Sequence, residues 1–147
     1  MPTAKLLHPD VPAPATWLGL AGVLPFAAGA LAAWRPDPLG AFAATALLAY
    51  GAVILSFLGG IHWGLALDRE RPRFAQLGLG VLPSLLGWAA LLVGDRAGIA
   101  LLMAGFVGVL VQDLRLARNA MAPPWFASLR ALLTTAVLLC LAVGLVA

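Results

Sequence analysis

The sequence predicts an all-α membrane protein, a polytopic bundle of five transmembrane helices. Three observations carry that reading. The 147 residues are 63% hydrophobic and only 10% charged, with a mean hydropathy of +1.00, whereas a soluble domain carries about a quarter charged residues. The few charges sit in short clusters that separate five long apolar segments, each near the length needed to cross a bilayer. The cations also alternate in number from one connection to the next. Lys5, Arg69, Arg71, Arg73, Arg115, Arg118 and Arg130 fall on one side of a five-span arrangement, and Arg35 and Arg96 on the other. Such an excess over short loops marks the cytoplasmic face, so the expected location is the bacterial inner membrane, with the N-terminus cytoplasmic and the C-terminus periplasmic. The same composition excludes soluble globular and disordered classes, and the pI near 10.0 reflects loop arginines and not a nucleic-acid surface.

Residues 1–14 read as a cytoplasmic tail. Pro9, Pro12 and Pro14 oppose a continuous helix there, and His8 is expected to be solvated. A cleavable leader ending near Ala30-Leu31-Ala32 is not expected, since the n-region is weak and Pro25 interrupts the apolar run. Residues 15–147 then form one transmembrane domain. The first span, 15–34, is bracketed by Trp17 and Trp34, as interfacial aromatics are, and Pro25 is expected to kink it. Arg35-Pro36-Asp37-Pro38 is a tight turn, with Asp37 as N-cap and Pro38 at the first helical position. The second span, 39–67, would reach about 40 Å at the helical rise, long enough to tilt, kink or project. A charged loop from Asp68 to Arg73 leads to the third span, 74–93, which contains Pro83. Asp95 is the expected N-cap of the fourth span, 97–114. Pro123-Pro124 breaks the chain before the fifth, 128–147, with Trp125 at the interface.

Leu18-Gly19-Leu20-Ala21-Gly22-Val23-Leu24-Pro25, with Gly29 beyond it, resembles Leu77-Gly78-Leu79-Gly80-Val81-Leu82-Pro83, with Gly87 beyond it. Two readings stay open: a parallel tandem repeat of two hairpins plus a fifth helix, or coincidence in a chain rich in Ala, Leu and Gly.

The second span contains Ser56-Phe57-Leu58-Gly59-Gly60-Ile61-His62-Trp63-Gly64. Gly60 and Gly64 form a G-x-x-x-G face at which another helix can approach closely, and Gly59, Gly105 and Gly108 are further helix-packing glycines. His62 lies about 9 Å inside its helix end by helical rise. Asp113 ends the fourth span and Arg130 begins the fifth, so topology alone puts a histidine, a carboxylate and a guanidinium at one membrane face. Ionisable groups at membrane depth are costly and face a bundle interior or a cavity. One reading is a polar cluster of His62, Asp113 and Arg130, covered by Trp63, that binds a small ligand or a lipid or quinone headgroup, or relays a proton. The other is that His62 bonds a backbone carbonyl while Asp113 pairs with Arg115 or Arg118 at the interface. Trp88 and Tyr50 read as anchors or packing residues. Ser56, Ser84, Thr134 and Thr135 read as bonding their own helix backbones.

Gly22-Val23-Leu24-Pro25-Phe26, Tyr50-Gly51, the Gly59-Gly60-Ile61-His62-Trp63-Gly64 block, Gln112-Asp113 and Pro124-Trp125-Phe126 with Leu129-Arg130 carry a resemblance. The chain resembles an uncharacterised family of small multi-pass bacterial and mitochondrial membrane proteins that includes transmembrane protein 69. That resemblance covers most of the chain and implies an inner-membrane architecture without an agreed activity.

No metal site is expected, since no two histidines lie close in sequence and no carboxylate-rich run is present. No cofactor is expected either: a haem on His62 would lack a second axial candidate within the spans. Cys140, the one cysteine, reads as a packed apolar residue. A phosphate-cradling loop and a Gly-x-Ser-x-Gly turn are both missing, so enzymatic activity is not expected. The favoured expectation is an accessory or assembly subunit that packs its glycine faces on a larger membrane complex, its partners being the bilayer and another membrane protein or further copies of itself. The alternative is a small transporter-like or lipid- or quinone-binding protein that uses the cluster around His62.

Overall fold

The structure, a computed structural model, describes residues 10–68 and 70–147. The expected tail residues Lys5 and His8, and Arg69 of the charged loop, lie outside the described residues. Five helices follow one another: α1 (Ala13–Ala32), α2 (Pro38–Leu67), α3 (Phe74–Val93), α4 (Asp95–Arg118) and α5 (Pro124–Leu145). Each is long and apolar enough to cross a membrane. Among the described residues no strand forms.

Local chemistry accounts for the helix boundaries. Proline occupies the first turn of α1, α2 and α5, where its missing N–H costs no intrahelical bond. Pro124 therefore starts α5 four residues ahead of the expected boundary. Asp37 takes the N-cap position of α2 but makes no side-chain cap bond. Arg35 claims its carboxylate instead, with Nη2 2.7 Å from Oδ2. This exposed pair holds the Asp37 carboxyl below its ordinary range. Asp95 is not the N-cap of α4: Gly94 takes that place with φ +69°, a left-handed conformation that glycine adopts without penalty. α4 continues to Arg118 because its end closes locally. Ala120 adopts φ 53°, and the Met121 amide donates to Leu116 O at 2.9 Å, which is the Schellman pattern.

Short connections make sequence neighbours antiparallel. α2 is the pivot, packing most extensively on α3 and also touching α1, α4 and α5, while α1 and α5 close the ring. Small residues form the α2–α3 seam. The Ser56 and Ser84 hydroxyls lie 2.8 Å apart, and Trp63 Nε1 donates to Leu77 O at 2.9 Å. A Cβ on Gly87 would lie 2.9 Å from Ala52 O. Gly59 abuts the Gly80 carbonyl in the same way. Thus Ser56 and Ser84 bond each other across the seam and not their own helix backbones, whereas Thr135 does bond its own helix, at Ala131 O.

Pro25 lies inside α1 and Pro83 inside α3, two helices that run parallel. The downstream glycines both reach α2, Gly29 at Leu47 and Gly87 at Ala52. Pro25 leaves the Ala21 carbonyl without its helical donor, and at the next carbonyl the Tyr50 hydroxyl donates to Gly22 O at 3.0 Å. Tyr50 is therefore a packing residue, edge-on to Phe26.

The distribution of side chains inverts that of a water-soluble protein. Trp17, Leu24, Phe42, Phe57 and Trp88 are exposed, while His62, Asp113, Arg130 and Thr134 are buried. An exterior this apolar is stable only against lipid, so the protein is an integral membrane protein. Phe26, Leu47, Leu55, Leu102, Phe106 and Leu141 fill the mid-bundle core.

Candidate functional site

Three helices contribute one ionisable residue each, and all three sit about one and a half turns inside the arginine-rich end of the bundle by helical rise. α2 supplies His62, α4 supplies Asp113 and α5 supplies Arg130. Asp113 is the hub. Its Oδ1 lies 2.7 Å from His62 Nε2, and its Oδ2 accepts from Arg130 Nε at 2.7 Å. The relative exposures are 5% for His62, 1% for Asp113 and 8% for Arg130. His62 thus does not bond a backbone carbonyl through Nε2, and Asp113 does not pair with Arg115 or Arg118, which are exposed. The physical reason is burial: a carboxylate inside an apolar bundle needs charged or hydrogen-bonding partners within the bundle itself.

The arrangement fixes donor and acceptor roles. With Arg130 beside it Asp113 is a carboxylate, which only accepts, so His62 Nε2 carries the proton toward Oδ1. Among the described residues, buried His62 Nδ1, Arg130 Nη2 and Thr134 Oγ1 have no hydrogen-bond partner. Thr134 lies one turn deeper than Arg130 on α5 and is 1% exposed. Nothing in the sequence separates it from Thr135, and its place in the group is a product of packing.

Hollows flank the cluster on both sides. On the His62 side, a cavity of about 260 Å³ between α3 and α4 includes Pro83, Gly105, Gln112 and Arg115 in its walls. Next to it a hollow of about 30 Å³ is lined by His62, Gln76 and Gln112 among others, enough room for one water on polar partners. On the Arg130 side, a cavity of about 140 Å³ lies beneath the first half of α1, with Arg130 and Thr134 in its wall. A larger opening of about 620 Å³ sits at the opposite end of the bundle, near Arg35 and Arg96, and contains none of the buried unpartnered atoms. Among the described residues no three His, Cys, Asp or Glu side chains group as metal ligands.

The remaining expected site residues divide. Trp63 does not cover the cluster: the next residue on a helix points about 100° away at 3.6 residues per turn, and its indole bonds α3 at Leu77 and lies over Gly80. Gly59 and Gly105 pack inside the bundle, against α3 and Leu55 respectively, whereas a Cβ on Gly60, Gly64 or Gly108 would meet nothing within 4 Å. Cys140 is partly buried against the core.

Residues 11–146 match the family described as protein of unknown function (DUF3429). The chain is 40% identical over 135 residues to transmembrane protein 69 of Xenopus tropicalis, covering 85% of this chain and 51% of that protein. It is 36% identical over 126 residues to transmembrane protein 69 of Mus musculus, covering 82% of this chain and 51% of that protein. The chain therefore spans about half the length of these relatives. No solved structure matches it.

Proposed function

The chain belongs to the DUF3429 family of proteins of unknown function, and we propose that it is a non-enzymatic membrane protein of the inner membrane whose working centre is the His62–Asp113–Arg130 cluster. One observation carries this reading. The cluster is buried and yet incomplete, with donors or acceptors left over on two of its three members and cavities at both. A purely structural ion triad gains by satisfying every group, since an unmatched buried polar atom costs about 1–3 kcal/mol. In this reading His62 takes up a proton at Nδ1 from the arginine-rich side, Asp113 stabilises the imidazolium, and Arg130 presents its spare N–H groups to a bound molecule. The positive-inside rule puts this end at the cytoplasmic face.

The test is a variant with all three ionisable residues replaced by apolar ones, His62→Leu, Asp113→Leu and Arg130→Met. Replacing a whole buried ion cluster by apolar residues of similar volume is commonly neutral or stabilising. The variant should therefore insert and melt as the wild type does, yet fail to restore wild-type fitness in cells lacking the chromosomal gene. Full complementation by the folded variant would reduce the cluster to a structural clasp.

A second reading is an accessory or assembly subunit. Its support is the outer face of α2, where exposed Val53 and Phe57 lead to Gly60 and Gly64, and the two glycines meet nothing in this chain. Gentle extraction, a native gel and mass spectrometry of each band test it. Migration in a large complex that is lost in Gly60→Leu/Gly64→Leu supports the reading. Migration as a monomer or self-oligomer ends it.

A further inference from the structure

The cavity on the Arg130 side is set apart from the others by two buried unpartnered donors on its lining residues, against the single unpartnered nitrogen of His62 on the other side. Its mouth carries Leu18 of α1 and Phe57 of α2, both on the lipid-facing exterior, and its inner wall is formed by Phe26 and Phe106, which are fully buried. Arg130 and Thr134 lie in the same wall. Arg130 Nη2 and Thr134 Oγ1 are both buried without a partner, and their residues are more than nine-tenths buried. Gly22 of α1 leaves the space open, whereas Gly19 makes room for the Leu133 side chain in the wall. The volume, about 140 Å³, is close to that of a cavity that takes one benzene ring, about 150 Å³. A whole lipid or a drug-sized ligand needs several hundred Å³. Only the head of an amphiphile fits, with its tail left in the bilayer beyond Leu18 and Phe57.

Charge bookkeeping selects the head. The Arg130 cation is already matched by the Asp113 anion 2.7 Å away. A carboxylate entering the cavity would add a second, unmatched anion in a low-dielectric site, which is costly. A neutral carbonyl oxygen accepts from donors of this kind without changing the charge balance. We propose that this cavity binds the carbonyl-bearing ring of a membrane-dissolved amphiphile of the alkyl-quinone type, taken in sideways from the lipid between α1 and α2, with Arg130 and Thr134 donating to one ring oxygen. The inference rests on the cluster being the working centre and names the class of molecule it serves.

The experiment uses the full chain in lipid nanodiscs and three probes: a decyl-substituted benzoquinone, decanoate and decylbenzene. The quinone should bind saturably and decylbenzene should not displace it. Thr134→Val should weaken quinone binding roughly three- to tenfold, the worth of one hydrogen bond, without lowering the melting temperature, because Oγ1 makes no bond in the free protein. Gly22→Ala should weaken it by narrowing the cavity. A Cβ there meets only Tyr50 Oη, at 3.9 Å, so the fold accommodates it. The inference falls if the quinone shows no saturable binding, if Thr134→Val binds as well as wild type, or if decanoate takes the site in preference. If the inference falls while the triple apolar variant still fails to complement, the cluster retains its role and only the ligand class is lost. If that variant complements, both readings fall together.

Discussion

Asp113→Asn removes one charge and leaves the shape of the site intact. The side chain is 1% exposed and its two oxygens meet His62 Nε2 and Arg130 Nε, each at 2.7 Å. The neutral amide keeps one oxygen as an acceptor but presents an NH₂ group to the other partner. Arg130 is then a guanidinium at 8% exposure with no counter-ion. Breaking a buried pair in this way costs about 3–5 kcal/mol, because the remaining charge is uncompensated. For a chain of this size each kcal/mol corresponds to roughly 2–4 °C in melting temperature, so a loss of roughly 10 °C is expected. The assay is thermal unfolding of detergent-solubilised protein followed by tryptophan fluorescence, since five tryptophans report on the bundle. Asp37→Asn is the control. Its partner Arg35 is 57% exposed, and no measurable shift is expected. If Asp113→Asn melts within 2 °C of the wild type, Asp113 does not hold a buried cation and the electrostatic account of the cluster is wrong.

Three further outcomes follow from local geometry. Gly87→Ala would place a Cβ 2.9 Å from the Ala52 carbonyl, and forcing the α2–α3 seam apart should cost about 1–3 kcal/mol in the same melting assay, whereas Gly108→Ala should melt as the wild type does. Ala120→Gly should raise stability by up to about 1 kcal/mol, because Ala120 holds φ 53° at a position where glycine is unstrained; a drop would mean that the α4–α5 turn is not closed as described. The Asp37 carboxyl is lowered from its ordinary value of 3.8 by Arg35, so what it contributes is fully present above that value and is lost only as pH falls through the lower folded-state value. Between pH 5 and 8, wild type and Asp37→Asn should therefore show parallel melting curves; divergence in that window would contradict the assignment.

The five helices were legible because crossing a bilayer demands long apolar segments, and these stand out whatever their neighbours. The α3 boundaries, Phe74 and Val93, coincide with the expected span. α4 and α5 run longer than their apolar cores. Arg115 and Arg118 extend α4 as exposed residues of its last turn, and Pro124 opens α5 as a first-turn proline. Hydropathy is blind to both effects, since a helix need not stop where its apolar stretch does.

That three ionisable residues share one membrane face also followed from sequence, through span order and helical rise alone. Their contact did not. Whether His62 meets Asp113, or Asp113 meets Arg115, depends on the rotation of α2, α4 and α5 about their own axes. The same rotation sends Gly59 into the α2–α3 seam while Gly60 faces outward, and turns Trp63 to Leu77 and away from the cluster. It buries Thr134 without a partner while Thr135 bonds its own helix. Adjacent residues on a helix differ by about 100° in direction, and in a segment apolar on every side no amphipathic stripe records which direction is inward. The sequence by itself determined the class, the number of spans and the depth of the charges. Only the packing of small residues along α2 decided which side chains meet, because close approach at Gly59, Gly87 and Gly105 sets the helix rotations that the hydrophobic pattern leaves free.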